Sequence, residues 1–165
     1  MALIVLLRGA NLGKRRFSPK AVEKALADLD VVNVGAAGTF VVRSRVAQAA
    51  LRKRIEEELP FEPAPMVIAT AKEVLAAVAA GEDIQVPAGG RRFATAMEKA
   101  AKAKLPVEAP GIVIPRVVGR FALGTRRPLV ETGVYPNEVV ERAFGVAATT
   151  RDWPTMEKVA DLLRD

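Results

Sequence analysis

The order of strand and helix signals in the first 81 residues constrains the fold more than any other feature of this sequence. Continuous apolar or valine-rich runs predict strands, and apolar residues at i, i+3, i+4 and i+7 predict helices. In chain order these runs predict strand, helix, strand, strand, helix, strand over residues 2–69. This β-α-β-β-α-β order predicts an α+β, ferredoxin-like half, in which four antiparallel strands have two helices on one face.

The boundaries of these elements have their own signals. Ala2–Arg8 is a continuous apolar run, which predicts a strand buried on both faces. Ser18, followed by a proline, predicts a helix N-cap. Thr70 and Glu73 predict the capping box of a further helix that ends at Gly81. The other predicted elements of this half are strands at Val31–Ala36, Thr39–Arg43 and Met66–Ala69, and a helix over Leu51–Leu59.

Residues 82–165 are predicted to form a second α+β half, joined to the half at residues 1–81 by the turn-rich segment Glu82–Gly90. Pro115 predicts an edge or a bulge in its own strand. We expect the last helix to pack back on the core through an apolar face that contains Met156 and Val159. The predicted elements are strands at Arg91–Met97, Ile112–Val118, Arg120–Gly124 and Leu129–Val134, and helices at Glu98–Lys104, Pro136–Phe144 and Pro154–Leu163.

The complete absence of cysteine and histidine excludes several kinds of site. Zinc sites, disulfides, haem ligation through these residues and Ser–His pairs all need a thiol or an imidazole. We therefore expect no metal and no cofactor. Acid–base chemistry would fall to Asp, Glu, Lys or Tyr135, and the sequence identifies no catalytic pair among them, so whether the protein is an enzyme stays open.

The N-terminal apolar run is too short to be the core of a signal peptide. No later stretch approaches the roughly 20 apolar residues that a membrane-spanning helix needs. We therefore expect a cytoplasmic protein without a membrane partner.

Three segments contain motifs in a fixed order along the chain. Residues 6–13 read Leu-Leu-Arg-Gly-Ala-Asn-Leu-Gly, and residues 149–155 read Thr-Thr-Arg-Asp-Trp-Pro-Thr. Between them, residues 38–42 read Gly-Thr-Phe-Val-Val, and Ser44 follows two residues later. Together they resemble the family named "domain of unknown function 1697", and the resemblance spans nearly the whole chain. It implies an α+β protein with a ferredoxin-like half and an uncharacterised function.

The chain also departs from that family's pattern. Lys14 stands where a second glycine is usual, and Asp152 replaces an amide. In the hairpin, Ala36, Ala37 and Thr39 stand where polar Gln, Ser and Asn are expected. If those polar groups form a site shared by the family, these substitutions remove part of it.

The loop Arg8–Arg16 combines two glycines with four cationic side chains and leads toward the helix after Ser18. Backbone N–H groups in such a loop, together with the positive end of a helix dipole, predict a cradle for an anion or phosphate. It is not a Walker A loop, because three residues separate Gly9 from Gly13 and Arg15 stands where Ser or Thr would hold magnesium. The alternative is a strand–helix connection with solvated charges.

The segment Thr149–Thr155 contains the only tryptophan, Trp153, two residues after Arg151. An exposed indole beside a guanidinium group would stack a planar group and bind its phosphate or carboxylate. The alternative is structural: Asp152 caps the next helix, the ring fills the core and Arg151 pairs with a carboxylate.

Together the two segments predict a site for a small anionic ligand. Basic side chains would supply charge, Asn and Thr would supply hydrogen bonds, and the indole would supply a flat wall. The predicted ligand-binding residues are Arg8, Asn11, Lys14, Thr150, Arg151 and Trp153. The hypothesis requires the two segments to be neighbours in space.

The net charge of +6 leaves two other functions open. Positive charge on a ferredoxin-like frame suggests nucleic-acid binding. Specific RNA recognition is not predicted, because it needs aromatic residues on the central strands and only Phe40 is available there. Non-specific binding stays open, although cations such as Arg91, Arg92, Arg126 and Arg127 are scattered along the sequence. A structural or oligomeric module would instead bury Trp153 and pair two copies through apolar surface.

Overall fold

Two antiparallel β-sheets, with helices between them and on their outer faces, form the α+β architecture. The computed structural model describes residues 1–8, 18–59, 66–128 and 133–165. The elements of the first half are β1 (Leu3–Leu7), α1 (Pro19–Ala25), β2 (Val31–Asn33), β3 (Thr39–Val42), α2 (Gln48–Glu58), β4 (Met66–Thr70) and α3 (Ala71–Gly81).

The first sheet has the strand order β2-β3-β1-β4, and every neighbouring pair is antiparallel. All five residues of β1 are buried, as its continuous apolar sequence predicts. Helices α1 and α2 pack on one face of this sheet, where Val22, Leu51 and Ile55 belong to the same apolar cluster as Val5. The strand order and the two helices on one face are compatible with the predicted ferredoxin-like half.

The second half forms a five-stranded sheet with the order β6-β7-β8-β5-β9. The predicted strands near β5, β7 and β8 and the predicted helices near α4 and α5 are confirmed. The elements of this half are β5 (Arg91–Met97), β6 (Val107–Ala109), β7 (Ile112–Val118), β8 (Phe121–Arg126), α4 (Pro136–Phe144), β9 (Ala148–Asp152) and α5 (Trp153–Arg164).

Strand β7 contains the bulge that Pro115 predicts. Its register against β8 shifts between Val113 and Arg116. β6 pairs only with the part of β7 that precedes the proline. Since proline has no N–H to donate, a bulge beyond the end of the neighbouring strand is a position where β7 tolerates it.

Several predictions for the second half differ from the structure. The predicted helix over Glu98–Lys104 is wrong, and this segment is irregular. Its only apolar residues are alanines, so a helix here would have no large side chain to bury. The strands β6 and β9 were not predicted, because β6 has only three residues and β9 has no alternating apolar pattern. The predicted strand Leu129–Val134 lies largely outside the described residues.

A single apolar layer joins the two sheets. Helix α3 packs against α5 and against strands of both sheets. The buried cluster in this layer includes Ile4 and Leu6 from the first sheet, Ala94 and Phe121 from the second, and Trp153 from α5. Burial of this layer therefore stabilises the two halves together, because each sheet depends on it to cover one face.

Gly81, at the end of α3, packs directly against the ring of Trp153 in this layer. A Cβ atom added at Gly81 would lie 2.3 Å from Cη2 of the indole. The indole is 6% exposed and surrounded by the shared core. Glycine at position 81 therefore allows the ring to fill the space between α3 and α5.

We predict that Gly81→Ala destabilises the protein by about 1–3 kcal/mol, because the buried ring must move to accept the new methyl group. Alanine has the higher helix propensity by about 1 kcal/mol, so propensity alone would give the opposite sign. Ala76→Gly, at an exposed position of α3, measures that propensity in the same helix. Urea unfolding of the three proteins checks the prediction, and a stabilised Gly81→Ala variant would contradict it.

Arg120, in the turn between β7 and β8, links the two halves through polar contacts. Its Nε donates to Oε1 of Glu73 at 2.8 Å and its Nη2 donates to Oε2 at 2.9 Å. Nη2 also donates to the carbonyl oxygen of Ile68 at 2.8 Å. Glu73 accepts from the backbone N–H of Thr70 at 2.7 Å, which completes the predicted capping box. The hydrogen bond from Arg120 lowers the pKa of Glu73 below its usual value of 4.5.

We predict that Glu73→Gln lowers the free energy of unfolding by about 1 kcal/mol at neutral pH. A carboxyl group with a lowered folded-state pKa stabilises the fold above its unfolded pKa, and this stabilisation disappears as the pH falls through the folded pKa. The difference between wild type and variant should therefore vanish on the acid side of 4.5. Urea unfolding at neutral pH and at an acid pH below 4.5 measures this difference, with Glu157→Gln on α5 as an exposed control. An equal difference at both pH values would contradict the assignment.

Candidate functional site

Strand β9 brings the predicted C-terminal motif against the first sheet. It pairs with β5, with Thr150 opposite Thr95 and Arg151 opposite Ala94. Side chains alternate along a strand, so Thr149 and Arg151 share one side of β9. Both contact the carbonyl oxygen of Leu7 at the end of β1. The two adjacent threonines favour this extended conformation because they are β-branched.

Arg151 is 5% exposed, and all three nitrogens of its guanidinium group donate hydrogen bonds. Nε donates to the hydroxyl of Thr39 at 2.6 Å, and Nη2 donates to the Leu7 carbonyl at 2.5 Å. The side chain thus holds together the end of β1, the β2–β3 hairpin and β9. Its other acceptors are Thr149 Oγ1 at 3.0 Å, the Thr150 carbonyl at 2.8 Å, and the Ala37 and Gly38 carbonyls, each at 3.3 Å.

Each of these six acceptors is neutral, so Arg151 does not form the carboxylate pair that the structural alternative assumed. Burial lowers the pKa of Arg151 to about 10, and the negative charge of Asp152 acts in the opposite direction. The guanidinium group therefore stays protonated at neutral pH. Its hydrogen bonds are satisfied by dipoles, while its charge has no counterion in contact.

Asp152 and Trp153 have the structural roles that the sequence offered as alternatives. The Asp152 carboxylate accepts a hydrogen bond from the backbone N–H of Thr155 at 3.0 Å and is the N-cap of α5. The Trp153 ring lies in the apolar layer between the sheets, against Gly81. In this position the ring has no open face on which a planar ligand could stack.

Arg8, immediately after β1, is a partly exposed cation of the same region. Its Nη1 donates to Oε2 of Glu141 on α4 at 2.6 Å, and the two side chains are 37% and 23% exposed. The same Glu141 oxygen accepts from the backbone N–H of Ala148 at 3.3 Å. Within the described part of the chain, Arg8 makes no other side-chain hydrogen bond, so most of its N–H groups are available.

Thr150 faces the opposite side of β9 from Arg151. Its Oγ1 lies 2.8 Å from Oγ1 of Thr95, so one hydroxyl donates to the other. Thr95 is fully buried, whereas Thr150 is partly exposed. The Thr150 hydroxyl therefore keeps hydrogen-bonding capacity toward solvent.

These residues form one cluster, which we call the β1–β9 junction: Arg8, Glu141, Thr149, Thr150 and Arg151. Three of the six predicted ligand-binding residues belong to it, and the two predicted segments are neighbours, as the hypothesis requires. Trp153 lies beneath the junction in the core. Asn11 and Lys14 lie outside the described residues.

Sequence reasoning missed Glu141, Thr95 and the role of Thr39. Glu141 follows Arg8 by 133 residues on an amphipathic helix, and no local pattern relates the two. Thr39 departs from the family's hairpin pattern, yet its hydroxyl accepts from Arg151. Ala37, another departure, takes part through its backbone carbonyl. Many sequences have an apolar strand followed by a hairpin that contains a threonine. This pattern therefore does not predict the contacts of Thr39 and Ala37 with Arg151.

None of the described helices combines the length and the apolar character needed to cross a membrane. No group of three or more Asp or Glu side chains within the described ranges is arranged so that it could hold a metal ion.

Among solved structures, the chain is similar to the conserved bacterial protein SP0830 from Streptococcus pneumoniae. The TM-score is 0.60 with 15% sequence identity, and the similarity covers 99% of this chain and 98% of that one. At this identity the similarity shows a shared fold over the whole chain. No family model and no curated protein matches the sequence, so the resemblance to the domain of unknown function 1697 stays a prediction.

We predict that Arg151→Lys destabilises the protein by about 2–4 kcal/mol, because an ammonium group has three donors for six acceptors. The charge is unchanged, so the loss reports the hydrogen-bond geometry. Arg43→Lys, at an exposed position where the side chain has no hydrogen-bond or ion-pair partner among the described residues, should change the free energy of unfolding by less than about 0.5 kcal/mol. Urea unfolding measures both, and equal effects would contradict the role given to Arg151.

Proposed function

We propose that the protein binds a small anionic ligand, such as a phosphate ester, at the β1–β9 junction. The observation that carries the proposal is the buried charge of Arg151, which contacts six neutral acceptors and no carboxylate. A cation in a low-dielectric environment without a contacting counterion favours an anion at the nearest accessible surface. Arg8, which directly follows the contacted residue Leu7, has a partly exposed side chain and offers such a surface.

Arg8 is the residue best suited to contact the ligand. It follows Leu7 directly, its side chain is 37% exposed, and Glu141 uses only Nη1. Nε and Nη2 form a fork that matches two oxygens of a phosphate or carboxylate. The Thr150 hydroxyl adds a hydrogen bond from the side of β9 that faces away from Arg151. Asn11 and Lys14 complete the proposed set on the basis of sequence alone.

The contacts of Arg151 and Trp153 change the roles proposed for them. The guanidinium group of Arg151 already donates from every nitrogen, so it would act on the ligand through its charge rather than by direct contact. Trp153 supports the start of α5 from within the core. The proposal therefore depends on Arg8 for binding and on Arg151 for the local potential.

We predict that inorganic phosphate, a nucleoside monophosphate, a sugar phosphate or a dicarboxylate raises the melting temperature of the wild type. Ligands that bind only the folded state stabilise it by mass action. Arg8→Gln combined with Glu141→Gln removes the fork without leaving an unpaired carboxylate, and the shift caused by the ligand should decrease. Arg43→Gln also removes one arginine, at an exposed site of the first half, and this variant should retain the shift in melting temperature.

Thermal-shift measurements at constant ionic strength make this comparison. An equal response in the wild type, the double variant and Arg43→Gln would contradict binding at the junction. No response to any of the four anions would also contradict it. That second outcome would favour a structural module without a ligand, the alternative that the burial of Trp153 and the saturated hydrogen bonds of Arg151 support.

Two further predictions belong to this proposal and rest on sequence. Membership of the domain of unknown function 1697 rests on the three motif segments at residues 6–13, 38–44 and 149–155. A cytoplasmic location rests on the absence of cysteine from the sequence.

A further inference from the structure

The second sheet places two arginines that are distant in sequence directly opposite each other. Arg91 is the first residue of β5 and Arg126 is the last residue of β8, and they are register partners in the antiparallel pair. Opposed residues in such a pair have Cα atoms about 4.5–5.5 Å apart. Like charges in this arrangement repel each other, and an anion between them would remove the repulsion.

Neither arginine has an acidic partner in the part of the chain that the structure describes. Arg91 is exposed and Arg126 is partly exposed, and no ion pair or side-chain hydrogen bond involves either. The nearby acid Asp83 is occupied, because its Oδ1 accepts from Nη1 of Arg116 at 2.6 Å. Both guanidinium groups therefore keep their full set of donors.

The neighbouring residues hold this end of the sheet in place and add positive charge. Arg92 Nε donates to the carbonyl oxygen of Ile84 at 3.0 Å, and Arg127 Nη1 donates to that of Ala88 at 3.1 Å. Residues 87–90 form a turn closed by the Gly90 N–H and the Pro87 carbonyl at 2.8 Å. Gly89 has φ +77 in this turn, a conformation that favours glycine, so the chain enters β5 in a fixed direction.

The geometry points to a binding site for a phosphate group between Arg91 and Arg126. Two guanidinium forks on adjacent strands match the oxygens of one phosphate, and arginine binds phosphate through such paired N–H groups. The anchored Arg92 and Arg127 increase the positive potential at the same end of the sheet. The ligand is a phosphomonoester or the phosphodiester of a single-stranded nucleic acid, and the chemistry of recognition is the same for both.

This site is separate from the β1–β9 junction. Thr95, which contacts Thr150 in the junction, lies four residues after Arg91 on β5. Four residues of strand span about 13–14 Å, so one small anion cannot contact both clusters. Variants at one cluster therefore test that cluster alone.

The test measures the affinity of the full chain for inorganic phosphate and, separately, for a fluorescent single-stranded oligonucleotide at constant ionic strength. All proteins carry Arg8→Gln/Glu141→Gln, so that the proposed junction site does not contribute to binding. In this background the test compares the parent protein, Arg91→Gln, Arg126→Gln and Arg91→Gln/Arg126→Gln, with Arg43→Gln as the control. Each single substitution should weaken binding of at least one probe by about tenfold or more, and the control should retain it. Both arginines are at strand ends and exposed or partly exposed, so the variants should fold.

If the Arg91 and Arg126 variants lose affinity for phosphate alone, the ligand is a small phosphomonoester. If they lose affinity for the oligonucleotide, the ligand is a nucleic-acid strand. For the nucleic acid, binding should also fall steeply with added salt. Equal affinity of the Arg91 and Arg126 variants and the parent protein for both probes would overturn the proposal, as would no binding of either probe by the parent protein. The junction test compares proteins that differ at Arg8 and Glu141, so failure of one proposal is distinguishable from failure of the other.

Discussion

The buried guanidinium group of Arg151 is the interaction on which the arrangement of the two sheets depends. It belongs to the edge strand of the second sheet, yet four of its six acceptors belong to β1 and the β2–β3 hairpin of the first. The apolar layer around Trp153 supplies non-directional stabilisation between the halves. Arg151 adds directional hydrogen bonds, because its planar guanidinium group fixes the positions of the strand ends that it contacts.

The same interaction has an electrostatic consequence. Backbone and hydroxyl dipoles satisfy the hydrogen bonds of Arg151, but they leave its charge without a contacting carboxylate. Arg8 lies next to it along the chain at a partly exposed position. A structural cation can therefore favour an anion that a neighbouring cation binds directly. In this way a residue that stabilises the fold also contributes to the proposed ligand site.

The sequence predicted the elements whose signals are local. The apolar run of β1, the capping box of α3 and the bulge at Pro115 each depend on a few adjacent residues. Strand β9 was not predicted, because its conformation depends on pairing with β5. The sequence Thr149–Asp152 is also typical of the residues that precede a helix. The Arg8–Glu141 ion pair and the Arg91–Arg126 pair depend on topology, since their members are remote in sequence and adjacent only through the fold.

The most direct test of this account is a phosphate titration of ¹⁵N-labelled protein, followed through the side-chain Nε–H signals of its arginines. The Arg151 signal should be protected from exchange with water in the absence of ligand, because its Nε–H donates to Thr39 in the interior. The Arg8 signal should shift with saturation as phosphate binds, while that of Arg151 remains protected. An Arg151 signal that exchanges as fast as those of exposed arginines, or an Arg8 signal that phosphate does not change, would contradict the account.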